Sequence, residues 1–348
     1  MRRHMVNARG VVLVLLWIMT SAVWAQEAGN AGSAPDPSAE GASAKDAGGD
    51  TKQERPFIST GQDYEALADM RPEKTVWLDT GANGRVVGLL EQEQQMPAQG
   101  AVLILADEGQ SADAGLAGAL RDPLARDGWA TMSLGLEAPP YPLEQARHER
   151  DLPGSEQPGP ADAAGKGESG AADPGKASGA AKPGVGAGSI IDVLSNTDLN
   201  QMRKDYQHKI GAQINAAVSH LRGMGYQRVA LVGVGRGARE MVSQALKGSG
   251  AGPGEPQMLA WITPTLQPSD LDAVAKASAG QLRILDLRSS LAKTESMHDQ
   301  RAVIRRGGFQ GYQQQRVAMA RHPGRDDAGL VAGRVSSWLK QTLEPASE

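Results

Sequence analysis

One stretch of the sequence decides the fold: Val229-Ala230-Leu231-Val232-Gly233-Val234-Gly235-Arg236-Gly237-Ala238. Its first four residues form a continuous apolar run, which predicts a short strand buried on both faces of a sheet. Glycines then occupy alternate positions, at 233, 235 and 237, before a segment with a helical pattern. The stretch therefore predicts a strand that passes through a tight glycine-rich turn directly into a helix.

Segments on either side of this turn alternate between strand-like and helix-like patterns. Residues 76–78 and 86–90 flank Asn83-Gly84, a strong turn motif that predicts a hairpin. Residues 199–221 repeat apolar side chains at steps of three and four, which predicts one face of a long helix. We therefore predict an α/β fold, with a mostly parallel sheet, helices on both faces and an N-terminal antiparallel hairpin. The other predicted strands are 101–105, 128–134, 258–262, 282–287 and 316–320, with helices around 116–124 and 330–339 and a polar loop at 310–315.

The N-terminal segment has the pattern of a secretory signal peptide. Arg2, Arg3 and Arg9 precede an apolar run at 11–19, and small side chains lead to a cleavage pattern ending at Ala25. An uncleaved anchor is the alternative, but the uncharged stretch 11–25 is shorter than the roughly 20 residues that cross a bilayer. We predict a signal peptide at 1–25, a periplasmic or secreted protein, and membrane contact only through this peptide before its cleavage.

Two tracts lack the large apolar side chains that a packed core needs. Residues 26–55 and 153–188 consist mainly of Ala, Gly, Ser, Pro and charged residues, so burial cannot offset the entropy of ordering them. We predict a disordered tether at 26–55 and a disordered insertion at 153–188 within a single domain spanning 56–348. Both are interpreted as spacers, and the alternative is a segment that folds on contact with a partner.

Composition excludes several classes of function. The 348 residues include no cysteine, which excludes disulfides, thiolate metal sites and a cysteine nucleophile. The net charge is −4, and without the three arginines of the predicted signal peptide it is 33 − 40 = −7, which argues against nonspecific binding of nucleic acid. The six histidines show no metal-binding spacing, and the glycine turn is G-x-G-x-G rather than the dinucleotide motif G-x-G-x-x-G. We therefore predict no metal, no cofactor and no nucleic-acid partner.

The glycine turn also has the layout of a nucleophile elbow, G-x-S-x-G, whose flanking positions must lack side chains. Gly233 and Gly237 stand at the flanking places, and Gly235 stands at the central one. With this turn, the order of segments over residues 73–341 resembles an α/β-hydrolase. More specifically, the chain is similar to an uncharacterised bacterial family of secreted α/β-hydrolase-like proteins, known only as a domain of unknown function.

The resemblance implies roles for several residues. Arg236 would donate its backbone N–H to an oxyanion hole, His322 would lie where the catalytic base belongs, and Asp286 is the candidate acid, although it falls within a strand. The segment containing Asp107 and Glu108 lacks the His-Gly pair often found at the second oxyanion donor. Because Gly235 offers no nucleophile, the resemblance implies a degenerate elbow.

Two functions remain open at this stage. The first is a catalytically inactive protein that binds an unknown small molecule or protein where a hydrolase of this fold would have its active-site cleft. Arg236, Asp107 and Glu108 are then the ligand-binding candidates. The alternative is a serine-independent, esterase-like hydrolase that uses His322 with Asp286. Arginines are also concentrated near the C-terminus, as a solvated basic face or, together with Arg236, as a site for an anion. They are Arg288, Arg301, Arg305, Arg306, Arg316, Arg321 and Arg325.

Overall fold

The computed structural model describes residues 62–151, 196–252, 254–278, 280–292 and 294–343. The predicted signal peptide and tether lie outside the described residues, as does the predicted insertion at 153–188. Within the described ranges, no helix combines the length and apolarity needed to span a membrane.

Eight strands form one sheet with the order β1-β2-β4-β3-β5-β6-β7-β8. Strand β2 pairs antiparallel with both β1 and β4, and every other neighbouring pair is parallel. The prediction of a mostly parallel sheet with an N-terminal antiparallel hairpin is therefore confirmed. The strands are β1 (Thr75–Asp79), β2 (Arg85–Glu91), β3 (Gly100–Glu108), β4 (Trp129–Leu136), β5 (Val229–Val234), β6 (Gln257–Ile262), β7 (Leu282–Ser289) and β8 (Tyr312–Val317).

Helices cover both faces of the sheet, as predicted. Alternate residues of the central strand β3 enter different cores: Leu103 and Leu105 pack on one face, and Val102 and Ile104 pack on the other. The helices are α1 (Tyr64–Met70), α2 (Gly115–Ala119), α3 (Arg121–Arg126), α4 (Tyr141–Asp151), α5 (Asn196–Gly223), α6 (Gly237–Leu246), α7 (Pro268–Ala275), α8 (Thr294–Arg306) and α9 (Ala328–Leu343).

The long helix α5 buries the apolar face that its sequence predicts. Tyr206, Ile210, Ile214, Val218 and Leu221 are all buried in the same core as Leu103. Complete burial of one such aliphatic side chain contributes about 1.5–3 kcal/mol. This face therefore holds α5 against the sheet.

The last strand differs from its prediction. The sequence predicts a polar loop at 310–315 and a strand at 316–320, whereas β8 runs from Tyr312 to Val317 and includes three glutamines. Strand β8 is at the edge of the sheet and pairs only with β7, so most of its residues are partly exposed. An edge strand does not need a continuous apolar run. The polar sequence of β8 therefore lacks the apolar pattern by which a strand is predicted.

Candidate functional site: the degenerate elbow

The turn between β5 and α6 has the backbone of a sharp strand-to-helix elbow. Gly235 has φ +54°, in the left-handed region that glycine adopts without strain. Its N–H donates to the carbonyl of Ile262 at 3.0 Å, and its carbonyl accepts from the N–H of Thr265 at 3.0 Å. These bonds fix the turn against the end of β6.

Steric contacts explain why the flanking positions 233 and 237 are glycine. A Cβ at position 233 would lie 2.3 Å from the Cα of Ala238, and a Cβ at position 237 would lie 2.3 Å from the carbonyl oxygen of Ala106. Both contacts are with backbone atoms that cannot turn away. A side chain at position 233 would therefore displace helix α6, and one at position 237 would displace strand β3.

Asp107, at the end of β3, fills the space beside Gly235. Its Oδ1 accepts from the N–H of Arg236 at 2.8 Å and from the N–H of Glu108 at 2.9 Å. A Cβ at position 235 would lie 2.3 Å from the Cγ of Asp107. The carboxylate thus occupies the space in which a nucleophile's side chain would begin, and it binds the N–H predicted to serve an oxyanion hole.

The three predicted ligand-binding residues lie together. Glu108 contacts the guanidinium of Arg236 at 3.5 Å and that of Arg147, on α4, at 2.7 Å. Asp107 is joined to Arg236 through the backbone. Arg147 was not predicted as a site residue, because its position beside the end of a distant strand leaves no pattern in the local sequence.

Two cavities open beside the turn and share Glu108, Arg147 and Arg236; we call them together the elbow cleft. The larger has a volume of 460 Å³ and the smaller 340 Å³. The larger is also lined by Leu136, Arg239, Glu240, Thr265, Leu266, Gln267, Pro268 and Ser269. Its wall is therefore part apolar and part charged, as is usual in small-molecule sites.

Glu240 is a buried acid in the wall of this cleft. It is 9% exposed, and it forms neither a hydrogen bond nor an ion pair with any residue that the structure describes. Burial raises the pKa of Glu240, and the charges of Arg239 and Arg147 oppose that rise. Glu240 was not predicted as a site residue, since a glutamate in the first turn of a helix ordinarily faces solvent.

Asp286 lies inside the protein. It is fully buried in β7 and accepts from Arg288 Nε at 2.8 Å, the Tyr312 hydroxyl at 2.5 Å and Gln314 Nε2 at 3.2 Å. Burial and then the Asp286 carboxylate raise the pKa of Tyr312, so its phenol stays protonated and donates this bond. These contacts belong to a polar network between β7 and β8.

His322 lies on the surface between β8 and α9. Within the described ranges it has no hydrogen-bond partner, and the partners of Asp286 do not include it. The structure therefore does not join the two residues that the alternative, serine-independent hydrolase would use, and that alternative stays a prediction.

The seven C-terminal arginines do not line the elbow cleft. Arg288 pairs with Asp286, Arg325 with Asp113, and Arg316 donates to the carbonyl of Ser290. The arginines that line the elbow cleft with Arg236 come instead from α4 and α6. Among the described residues, no three His, Asp or Glu side chains cluster closely enough to hold a metal ion.

The strand order, the antiparallel hairpin and the turn from β5 into α6 define an α/β-hydrolase fold. The chain belongs to the family described as "Protein of unknown function (DUF3530)", whose model matches residues 10–341. The family resemblance found in the sequence is thereby confirmed.

Comparison with solved structures gives distant matches. The esterase domain of a Rhodothermus marinus protein is 11% identical, with 77% of this chain and 98% of that chain covered and a TM-score of 0.45. Est1E from Butyrivibrio proteoclasticus is 8% identical over 78% and 99% of the two chains, with a TM-score of 0.44. A serine hydrolase without a lid, XC6422 from Xanthomonas campestris, is 14% identical over 79% and 96%, with a TM-score of 0.43. No curated protein matches the sequence.

Proposed function

We propose that this protein is a secreted, non-catalytic member of the α/β-hydrolase fold that binds a small anionic molecule in the elbow cleft. One observation carries the proposal: the Asp107 carboxylate lies beside Gly235 and binds the N–H of Arg236 at 2.8 Å. The place of the nucleophile therefore holds a fixed carboxylate of the protein itself.

Acyl transfer by the usual route needs two features that this site lacks. Position 235 supplies no hydroxyl, so no acyl-enzyme can form there. The N–H of Arg236 already binds a negative charge, whereas an oxyanion hole stabilises the transition state by donors that are free to bind the developing charge. Both differences favour binding over catalysis.

The anionic preference rests on Arg236. Its side chain is 44% exposed, and its described ion pair is a 3.5 Å contact with Glu108, which also binds Arg147 at 2.7 Å. Two guanidinium groups thus share one carboxylate. Because a guanidinium carries five N–H donors, Arg236 retains donors for a carboxylate or phosphate of a ligand.

The absence of catalysis is tested with short- and medium-chain p-nitrophenyl esters. We expect no turnover above background from the wild type and none from Gly235→Ala, which adds the Cβ without a nucleophile. Gly235→Ser should also be inactive, because its Cβ meets the Asp107 carboxylate. The double variant Gly235→Ser/Asp107→Ala removes that contact and so tests the serine without it. Wild-type turnover that disappears in His322→Ala would support the alternative hydrolase and overturn the proposal.

Binding is tested by titration calorimetry with hexanoate as the probe. We expect binding by the wild type, an affinity weaker by roughly tenfold or more in Arg236→Ala, and little change in Arg334→Ala, which removes an exposed arginine on α9. Circular dichroism checks that each variant is folded. Equal affinity of the Arg236→Ala variant and the wild type would contradict the assigned role of Arg236.

A further inference from the structure

Glu240 is an acidic side chain in the wall of the elbow cleft. It follows Arg239 in the first turns of α6 and lines the 460 Å³ cavity together with Arg236. The carboxylate oxygens of Glu240 are not among the fully buried polar atoms that lack a partner, so they reach the surface of the cavity. Glu240 also has no hydrogen-bond or ion-pair partner among the described residues.

The neighbouring guanidinium groups are already engaged. Arg239 Nε pairs with Asp270 at 3.2 Å, and Arg147 pairs with Glu108 at 2.7 Å. These pairs place the two positive charges near Glu240 without a hydrogen bond to it. The Glu240 carboxylate is therefore open to a hydrogen-bond donor in the cavity.

The other acids at the turn are not available in this way. Glu108 contacts Arg147 and Arg236, and Asp107 accepts two backbone N–H groups. Of the two acids that line the larger cavity, Glu108 and Glu240, Glu240 is accordingly the one whose oxygens are free of described hydrogen bonds. A ligand group that meets it must be a hydrogen-bond donor, and an ammonium group matches an ionised carboxylate best.

We infer that the elbow cleft takes a zwitterionic ligand, whose carboxylate binds Arg236 and whose amine binds Glu240. Both side chains line the same 460 Å³ cavity, so a small molecule that carries a carboxylate and an amine is the class of ligand that matches them. The inference rests on the proposed function for the carboxylate half and adds the amine half.

Matched probes separate the two halves. Titration calorimetry compares 4-aminobutanoate, 6-aminohexanoate and 8-aminooctanoate with butanoate, hexanoate and octanoate, so that each pair differs only in the amine. In the wild type, we expect at least one amino acid to bind roughly tenfold or more tightly than its partner. In Glu240→Gln this gain should disappear while the plain carboxylates still bind, at least as tightly as to wild type because a negative charge has left the cavity. Glu65→Gln, an exposed acid on α1, should behave as wild type.

The outcomes distinguish the inference from the proposed function. Equal affinities within every wild-type pair would overturn the inference, and this comparison needs no variant to fold. Retention of the gain in Glu240→Gln would overturn it too, even where Arg236-dependent binding of hexanoate upholds the proposed function. No binding of any probe would overturn both.

Discussion

Asp107 and Gly235 are complementary at the scale of single residues. Strands β3 and β5 pair in parallel with Leu105 opposite Gly233, so Asp107 and Gly235, each two residues further on, lie side by side. The absence of a side chain at 235 leaves room for the carboxylate, and the carboxylate in turn binds the N–H of the next residue. A substitution at either position therefore changes the packing and hydrogen bonding of the residue at the other.

Glu240 gives a residue-scale prediction about pH. Burial raises its pKa above the ordinary 4.5, with Arg239 and Arg147 opposing the rise and Asp270 and Glu108 adding to it. Between the ordinary and the raised value the folded state holds a proton that the unfolded state has lost, so the free energy of unfolding falls as pH increases through this range. We expect Glu240→Gln to lack this fall and to gain stability relative to wild type as pH increases.

Thermal unfolding across this range, from about pH 4 upward, measures the effect. Glu65→Gln makes the same chemical change at an exposed position and should follow the wild type. Parallel stability curves for wild type and Glu240→Gln would contradict the prediction.

At the scale of elements, Asp286 holds the edge of the sheet together. It joins β7 to β8 through Tyr312 and Gln314, and it neutralises Arg288, which is only 8% exposed. Removal of one partner of a buried ion pair leaves the other charge uncompensated and costs about 3–5 kcal/mol. We expect Asp286→Ala to lose stability on this scale in urea unfolding, and Asp326→Ala, at an exposed acid, to lose little. A stable, folded Asp286→Ala variant would argue against this structural role.

Elements differ in how far the sequence predicts them. The elbow strand, the hairpin and α5 are predictable, because each pattern reflects burial on one or both faces. Strand β8 is not, because an edge strand with Gln313, Gln314 and Gln315 leaves no apolar period. The candidate site is predictable only in part: the turn and Arg236 are visible, whereas the approach of Asp107, Arg147 and Glu240 depends on strand order and on contacts between distant segments.

At the scale of the whole molecule, secretion is the prediction to test. We expect expression of the full chain in a Gram-negative bacterium to yield a periplasmic or secreted protein whose first residue is Gln26, because Val23 and Ala25 fit the small-residue cleavage pattern. Cell fractionation followed by N-terminal sequencing measures this. A product that keeps residues 1–25 would favour the uncleaved anchor, and Ala25→Arg should block cleavage.

The C-terminal helix α9 sets the order in which the fold can be completed. Val331, Val335 and Leu339 enter the same core as Trp129, and the Trp129 indole donates to Ser336 Oγ at 3.2 Å. A chain that emerges N-terminus first from a ribosome thus has its central strands available long before the last helix that covers one side of them. Until those last turns arrive, the apolar side chains that α9 covers stay exposed, and loss of the final residues would leave them open to aggregation.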